Sequence, residues 1–353
     1  MNNALNMTVN TLPALTWNWL RMNSTRIEDV TADSRARAAA DVPAGIDEET
    51  TESTRYAGQK TAMGSDVDRL IALSGICTSS YSSQAGRKSE APLRIDLSYE
   101  KDCHDLSSFD ITAADDSEMT VIMKFKSEEN GSAAVQTRYH AGRNALLKII
   151  QVQMLDDDFT FLNDIGGSCD ENGRIELIQL ILGGGKTYTG ARADLSGDSS
   201  FFKADIGYVV GGSGRLDMNY ISDQTARKTE SLINASGVLR DQAFKLFRGT
   251  IDFHKGCAAS VGNEKEDVLL IDDGVVNQTV PLILCDEEDV VGNHGATIGQ
   301  LDEDLLFYLR SRGLNEEEVY EMMARARMDA VSALIPDEKT RDEIRSYQNR
   351  HSN

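Results

Sequence analysis

The chain has 353 residues, a formal net charge of −21, 28 glycines and only 5 prolines. A chain of this length can bury a large core and divide into more than one unit. Its acidity repels phosphate backbones and anionic lipid, which argues against nucleic-acid and membrane binding, and its glycines suit many tight turns.

The five cysteines (Cys77, Cys103, Cys169, Cys257 and Cys285) are odd in number, widely spaced and free of any CxxC motif. They read as reduced thiols of a cytoplasmic protein, not as a disulfide framework or a zinc knuckle. No basic region followed by an apolar run opens the chain, and no apolar stretch is long enough to span a bilayer.

Residues 1–90 read as a helical, partly mobile N-terminal region. Trp17 and Trp19 stand together in Leu12–Leu20 as core or interface anchors. The polar stretch from Met22 to Gln59 has few large apolar residues and is expected to be mobile or held only by its neighbours. Asp66–Leu73 has the spacing of a short amphipathic helix that buries Val67, Leu70, Ile71 and Leu73.

Residues 91–298 form the expected β core. Leu93–Tyr99 and Met119–Phe125 alternate apolar and polar residues, as half-buried strands do. Turn signals then recur at Glu171-Asn172-Gly173, Gly183–Gly185, Gly211–Gly214, His254-Lys255-Gly256, Gly262-Asn263-Glu264 and Asp272-Asp273-Gly274. Short apolar runs without an intervening helix argue against a βαβ fold; the pattern alone does not separate a sandwich, a barrel and a solenoid, but the steady turns lean toward a stacked parallel coil. Gly183-Gly184-Gly185-Lys186-Thr187 is not a phosphate loop, because the position that needs the first glycine holds Leu180.

Residues 299–353 form the expected helical C-terminal segment. Asp302 caps a helix with Leu305, Leu306 and Leu309 on one face, and Gly313 stops it. Asn315 and Glu318 make a capping box for a second helix, whose stripe is Val319, Met322, Met323, Ala326 and Ala330. A weaker third helix begins after Pro336. Between coil and helices, a turn carries His294, a metal-competent group.

His294-Gly295-Ala296-Thr297-Ile298-Gly299-Gln300-Leu301-Asp302, followed by Leu306-Phe307-Tyr308-Leu309-Arg310-Ser311-Arg312-Gly313, closely resembles the C-terminal signature of the SufB/SufD family. Gly237-Val238-Leu239, Phe247–Ile251, Val268–Ile271 and Thr279-Val280-Pro281 fall in that family's order as well. The resemblance implies a right-handed parallel β-helix flanked by N-terminal and C-terminal helical segments. It implies a non-enzymatic scaffold of SUF iron–sulfur cluster assembly. A SufB-like subunit would pair across the last rungs, and SufC-like ABC ATPase subunits would bind the C-terminal helices. Self-association and binding of reduced flavin by the assembled complex stay open at this stage.

The sequence is similar to the SufD branch, because Gly295-Ala296-Thr297 follow the histidine. Val275 stands where the SufB branch has its sulfur-accepting cysteine, and Gly292 where SufD-like chains often have one. His294 is therefore the leading cluster-site candidate and iron ligand, with Cys285 and Cys257 behind it. Cys257 and His254 could line one groove. The ATPase-docking candidates are Leu305, Leu306, Leu309, Val319, Met322 and Met323. No cofactor is expected to stay on this chain alone; a transient cluster would sit at the complex interface. The rival readings are a structural adaptor with no cluster contact and, from another class, a β-helical polysaccharide enzyme. The acidity of the chain and the lack of a paired carboxylate motif disfavour the latter.

Overall fold

The computed structural model describes residues 5–31, 34–35 and 38–351. Its body is a parallel β-helix built from two long sheets. One sheet stacks Thr78–Ser83, His104–Ala113 and every second strand onward to Val276–Cys285. The other stacks Leu93–Ser98, Glu118–Lys126 and the alternate strands onward to Val290–Gly299. The chain crosses from one sheet to the other after each strand, so a strand's hydrogen-bond partner lies one full coil away. Asn130 donates to Asp102, 28 residues earlier. Thr137 pairs with Phe109, 28 residues earlier, and Val280 with Arg248, 32 residues earlier, so the last rung is longer than the first ones.

The corners explain the regularity. One recurring corner places a left-handed residue at Asp116, Asn144, Asn172, Ser199, Lys228 and Ala259. The Asn144 N–H donates to the Glu171 carbonyl and the Asp116 N–H to the Arg143 carbonyl, so each corner bonds to the next. Inward side chains of both sheets form one continuous apolar core, which includes Val121, Phe125, Ile149, Phe161, Phe202 and Phe247.

Both outer faces are covered in part as well, and this is why strands such as Arg174–Ile181 carry apolar residues on both sides. On the second sheet, Ile122, Ile150, Val152, Ile178 and Leu180 are covered by two C-terminal helices. The four α-helices among the described residues are α1 (Ser65–Ser74), α2 (Glu303–Ser311), α3 (Glu316–Ser332) and α4 (Glu338–His351). Ion pairs fasten α4 and its entry, Arg94 to Asp337 at 2.8 Å and Lys124 to Glu343 at 3.1 Å. The first sheet is covered by N-terminal chain: Met7, Val9, Met63, Val67 and Leu70 pack on Leu106, Ala134, Leu162 and Tyr188.

Several expectations need correction. The N-terminal side is mostly strand, not helix. Leu5–Val9 pairs with Thr25–Val30, and Ala38–Asp41 and Ile46–Thr51 add antiparallel edges to the two sheets. Part of the Met22–Gln59 stretch, residues 32–33 and 36–37, lies outside the described residues; the rest is held by these pairings, because backbone bonding does not require apolar side chains. The parallel stack starts at Thr78, before residue 91. In α1, Val67 and Leu70 are buried, while Leu73 faces solvent. Trp17 and Trp19 are 73% and 74% exposed, so neither is a core anchor. Gly262-Asn263-Glu264 is no turn; it lies within the strand Ser260–Leu270.

The C-terminal helices start where their capping residues predict, but the buried face of α3 differs from the expected stripe. The Asp302 side chain accepts from the Asp304 and Leu305 N–H groups, and the Asn315–Glu318 capping box is complete. In α3, however, Val319, Tyr320, Ala324, Met328 and Val331 are buried, while Met322, Ala326 and Ala330 are exposed. Aromatic Tyr320 and the later Met328 and Val331 set the face, since together they bury more area than the alanines.

Candidate functional site at the last rung

The stack ends without a cap. Val276–Cys285 and Val290–Gly299 are the last strands of their sheets, each paired on one side only among the described residues. Val276, Val291 and Ile298 are exposed there, Val291 by 54%. His294 lies in the middle of Val290–Gly299, so it is a strand residue and not the turn residue that its glycine neighbours suggested. It is solvent-exposed.

Its direction follows from its neighbours. A Cβ added at Gly292 would meet Ile283 and Phe253 of the opposite sheet, so position 292 faces the interior. Strand alternation puts His294 on the same side, at the open mouth of the coil. Its partner in the rung beneath is Glu264. The Glu264 carboxyl reaches across to Gly249, where any Cβ would collide with it. Glycine at 249 leaves room for the carboxyl in this position.

Around Glu264 the interior turns from apolar to charged. Lys245 and Glu266 form a fully buried ion pair. Thr279 donates to Glu266 at 2.6 Å, Lys245 donates to Thr279 at 3.1 Å, and Tyr208 donates to Glu266 at 3.3 Å. Glu264 Oε2 has no hydrogen-bond partner. Burial, reinforced by the Glu266 charge and only partly offset by Lys245, pushes the Glu264 carboxyl up to about 8. Burial likewise lowers the Lys245 ammonium. Glu264 and its neighbours are hidden in the sequence, where Gly262–Glu264 has the composition of a turn. The missed signal was the alternation of Glu264 and Glu266 in a run that ends in Val268-Leu269-Leu270.

The thiols divide. Cys285 is exposed at the end of its strand, and its Sγ donates to the Glu287 carbonyl. Cys257 is buried among Ile251, Phe253, Ile283 and Val290, and desolvation raises its pKa. A thiol so placed behaves as a small hydrophobe. Cys257 does not share a groove with His254, whose ring faces Asp223 on the outer surface.

Among the docking candidates, Leu305 and Met322 are exposed, and Leu306, Leu309 and Met323 are half-buried. Val319 is completely buried and presents nothing to a partner in this structure. Phe307 and Tyr308, passed over in the sequence, are exposed beside them. No helix among the described residues is long and apolar enough to cross a membrane.

A family model described as "SUF system FeS cluster assembly, SufBD core domain" matches residues 100–327, more than half of the chain. This chain belongs to the SufB/SufD family. The matched span of this SufBD-family chain holds every rung from His104 onward, the charged mouth and most of α3. The iron–sulfur cluster assembly protein SufD of Bacillus subtilis is 26% identical over 240 residues, 66% of this chain and 54% of that protein. A SufBD family protein of Mycobacterium tuberculosis is 34% identical over 113 residues, 32% of this chain and 13% of its own length. One from Staphylococcus saprophyticus is 25% identical over 169 residues, 48% of this chain and 36% of that protein. The chain thus spans about half the length of its B. subtilis relative, and less of the others.

Proposed function

We propose that this chain is a SufD-like, non-catalytic scaffold of iron–sulfur cluster assembly that meets a SufB-like subunit through its last rung. The carrying observation is the uncapped rung: two bare strand edges, exposed Val276, Val291 and Ile298, and His294 at the mouth. A partner that adds strands there satisfies the open N–H and C=O groups and covers the valines. An imidazole can ligate iron, so His294 would lend an accessory ligand to a cluster built between subunits. The partner would supply the sulfur-carrying thiol, since Val275 and Gly292 carry none and Cys257 is buried; exposed Cys285, at the end of the last rung, is the one thiol this chain could add there among the described residues. SufC-like ATPase subunits would dock on the exposed apolar side of α2 and α3, at Leu305, Phe307, Tyr308 and Met322.

A structural adaptor without cluster contact is the second reading, and the same missing thiols favour it. One experiment separates the two. The chain is co-expressed with SufB- and SufC-like proteins, as wild type and as His294→Ala, and complex yield and iron–sulfur content are measured. Equal complex yield with reduced cluster content supports the ligand role. Equal cluster content makes the chain an adaptor. Absence of a complex with wild type overturns the pairing itself.

A further inference from the structure

We propose a divalent metal site on the outer surface of the first sheet, formed by Asp223, Asp252 and His254. Their ligand atoms all lie within 4.8 Å of one another. Asp194, Asp223 and Asp252 stand in register on three successive rungs. His254 follows Asp252 by two residues, so strand alternation returns its ring to the same face. Its backbone is fixed from both sides: the His254 N–H donates to the Gln224 carbonyl, and the His254 carbonyl accepts from the Cys257 N–H. The ring Nε2 contacts Asp223 Oδ1 and lies 3.5 Å from Asp252 Oδ2.

The remaining contacts suit a cation. Arg192 bridges Asp194, at 2.6 Å, and Oδ2 of Asp223. It thus orients the Asp223 carboxylate and leaves Oδ1 toward His254, the part that an outer-sphere group plays at a metal site. Asp252 has no ion-pair partner but His254 among the described residues. Two carboxylates and one imidazole are the donor set of zinc-class ions, including Co(II), Mn(II) and Fe(II), with water in the other positions. A bound ion would clamp the rung that holds Asp223 to the rung that holds Asp252. This site is on an outer face and does not depend on any role of His294.

The test uses the full chain with Co(II) as probe, followed by calorimetry and visible absorption. Wild type is expected to bind one equivalent and to melt at a higher temperature when loaded. His254→Ala and Asp252→Asn should each weaken binding at least tenfold and abolish the melting shift, with circular dichroism confirming that both variants are folded. His294→Ala should bind as wild type does. The proposal is overturned if wild type binds nothing below millimolar Co(II), or if His254→Ala binds equally well. A thiolate charge-transfer band would also overturn it, by placing the ion on a cysteine.

Discussion

Arg248 donates to Asp217 at 2.6 Å, and both side chains are fully buried between the first sheet and the N-terminal segment. Arg248 Nε also donates to the Met22 carbonyl at 2.7 Å, and Asn10 donates to Asp217 at 2.8 Å. The pair is thus the peg on which the N-terminal segment hangs. Arg248→Ala leaves the buried Asp217 carboxylate with only the more distant Arg215, at 3.5 Å, as a cation, and should cost about 3–5 kcal/mol. The Arg248→Met/Asp217→Leu double variant should lose less than the single change. Urea unfolding followed by circular dichroism checks both, and a double variant that is worse than Arg248→Ala refutes the account.

Glu264 should make stability fall with rising pH. Its ordinary value is 4.5, and in the folded chain it is raised to about 8. Between those values the native state keeps a proton that the unfolded chain has released. The favourable contribution is therefore complete below about 4.5 and is lost as pH rises through 8. Unfolding midpoints at pH 5 and pH 8.5 should differ less in Glu264→Gln than in wild type. An unchanged slope in the variant would show that Glu264 ionises freely.

Ile335 is completely buried beside Ile344 and Tyr347, where the end of α3 and α4 meet the second sheet. Ile335→Ala should destabilise by about 2–5 kcal/mol through lost burial and a residual cavity. Amide exchange should speed up in α3 and α4 before the rungs. Uniform loss of protection would instead mean that helices and coil unfold as one unit.

Ala259 occupies a left-handed corner at φ 62. That conformation crowds any Cβ and costs roughly 1–2 kcal/mol. Ala259→Gly removes the clash but loosens the unfolded chain, so a net gain of up to about 1 kcal/mol is expected. A thermal melt that falls instead would show that the Ala259 methyl packs usefully.

The coil was legible because its period is short and its turns are chemically marked: Asn172-Gly173 and Asp272–Gly274 punctuate runs such as Ile175–Ile181. Strand patterning also hid something, since an inward Glu264 has the same spacing as an outward one. Only the neighbouring rung decides which way it faces. The phase of α3 was obscured for a related reason. Met322 and Met323 look equally apolar in sequence, and contact with Val238 and Leu269 selects Tyr320 and Ala324 instead. Gly292 and Gly295 beside His294 suggest a turn where an edge strand exists.

The two ends of the coil are not equivalent, and this limits what can be built from it. At its start, Ala38–Asp41 and Ile46–Thr51 run against the direction of the stack. Asp47, Glu48 and Glu49 add charge there, which discourages further strand addition. At the far end the strands stay bare. A coil open at both ends could polymerise head to tail without limit. A coil open at one end can only be joined once. When two such coils meet through their bare rungs, no bare end is left, and that union is complete with two bodies.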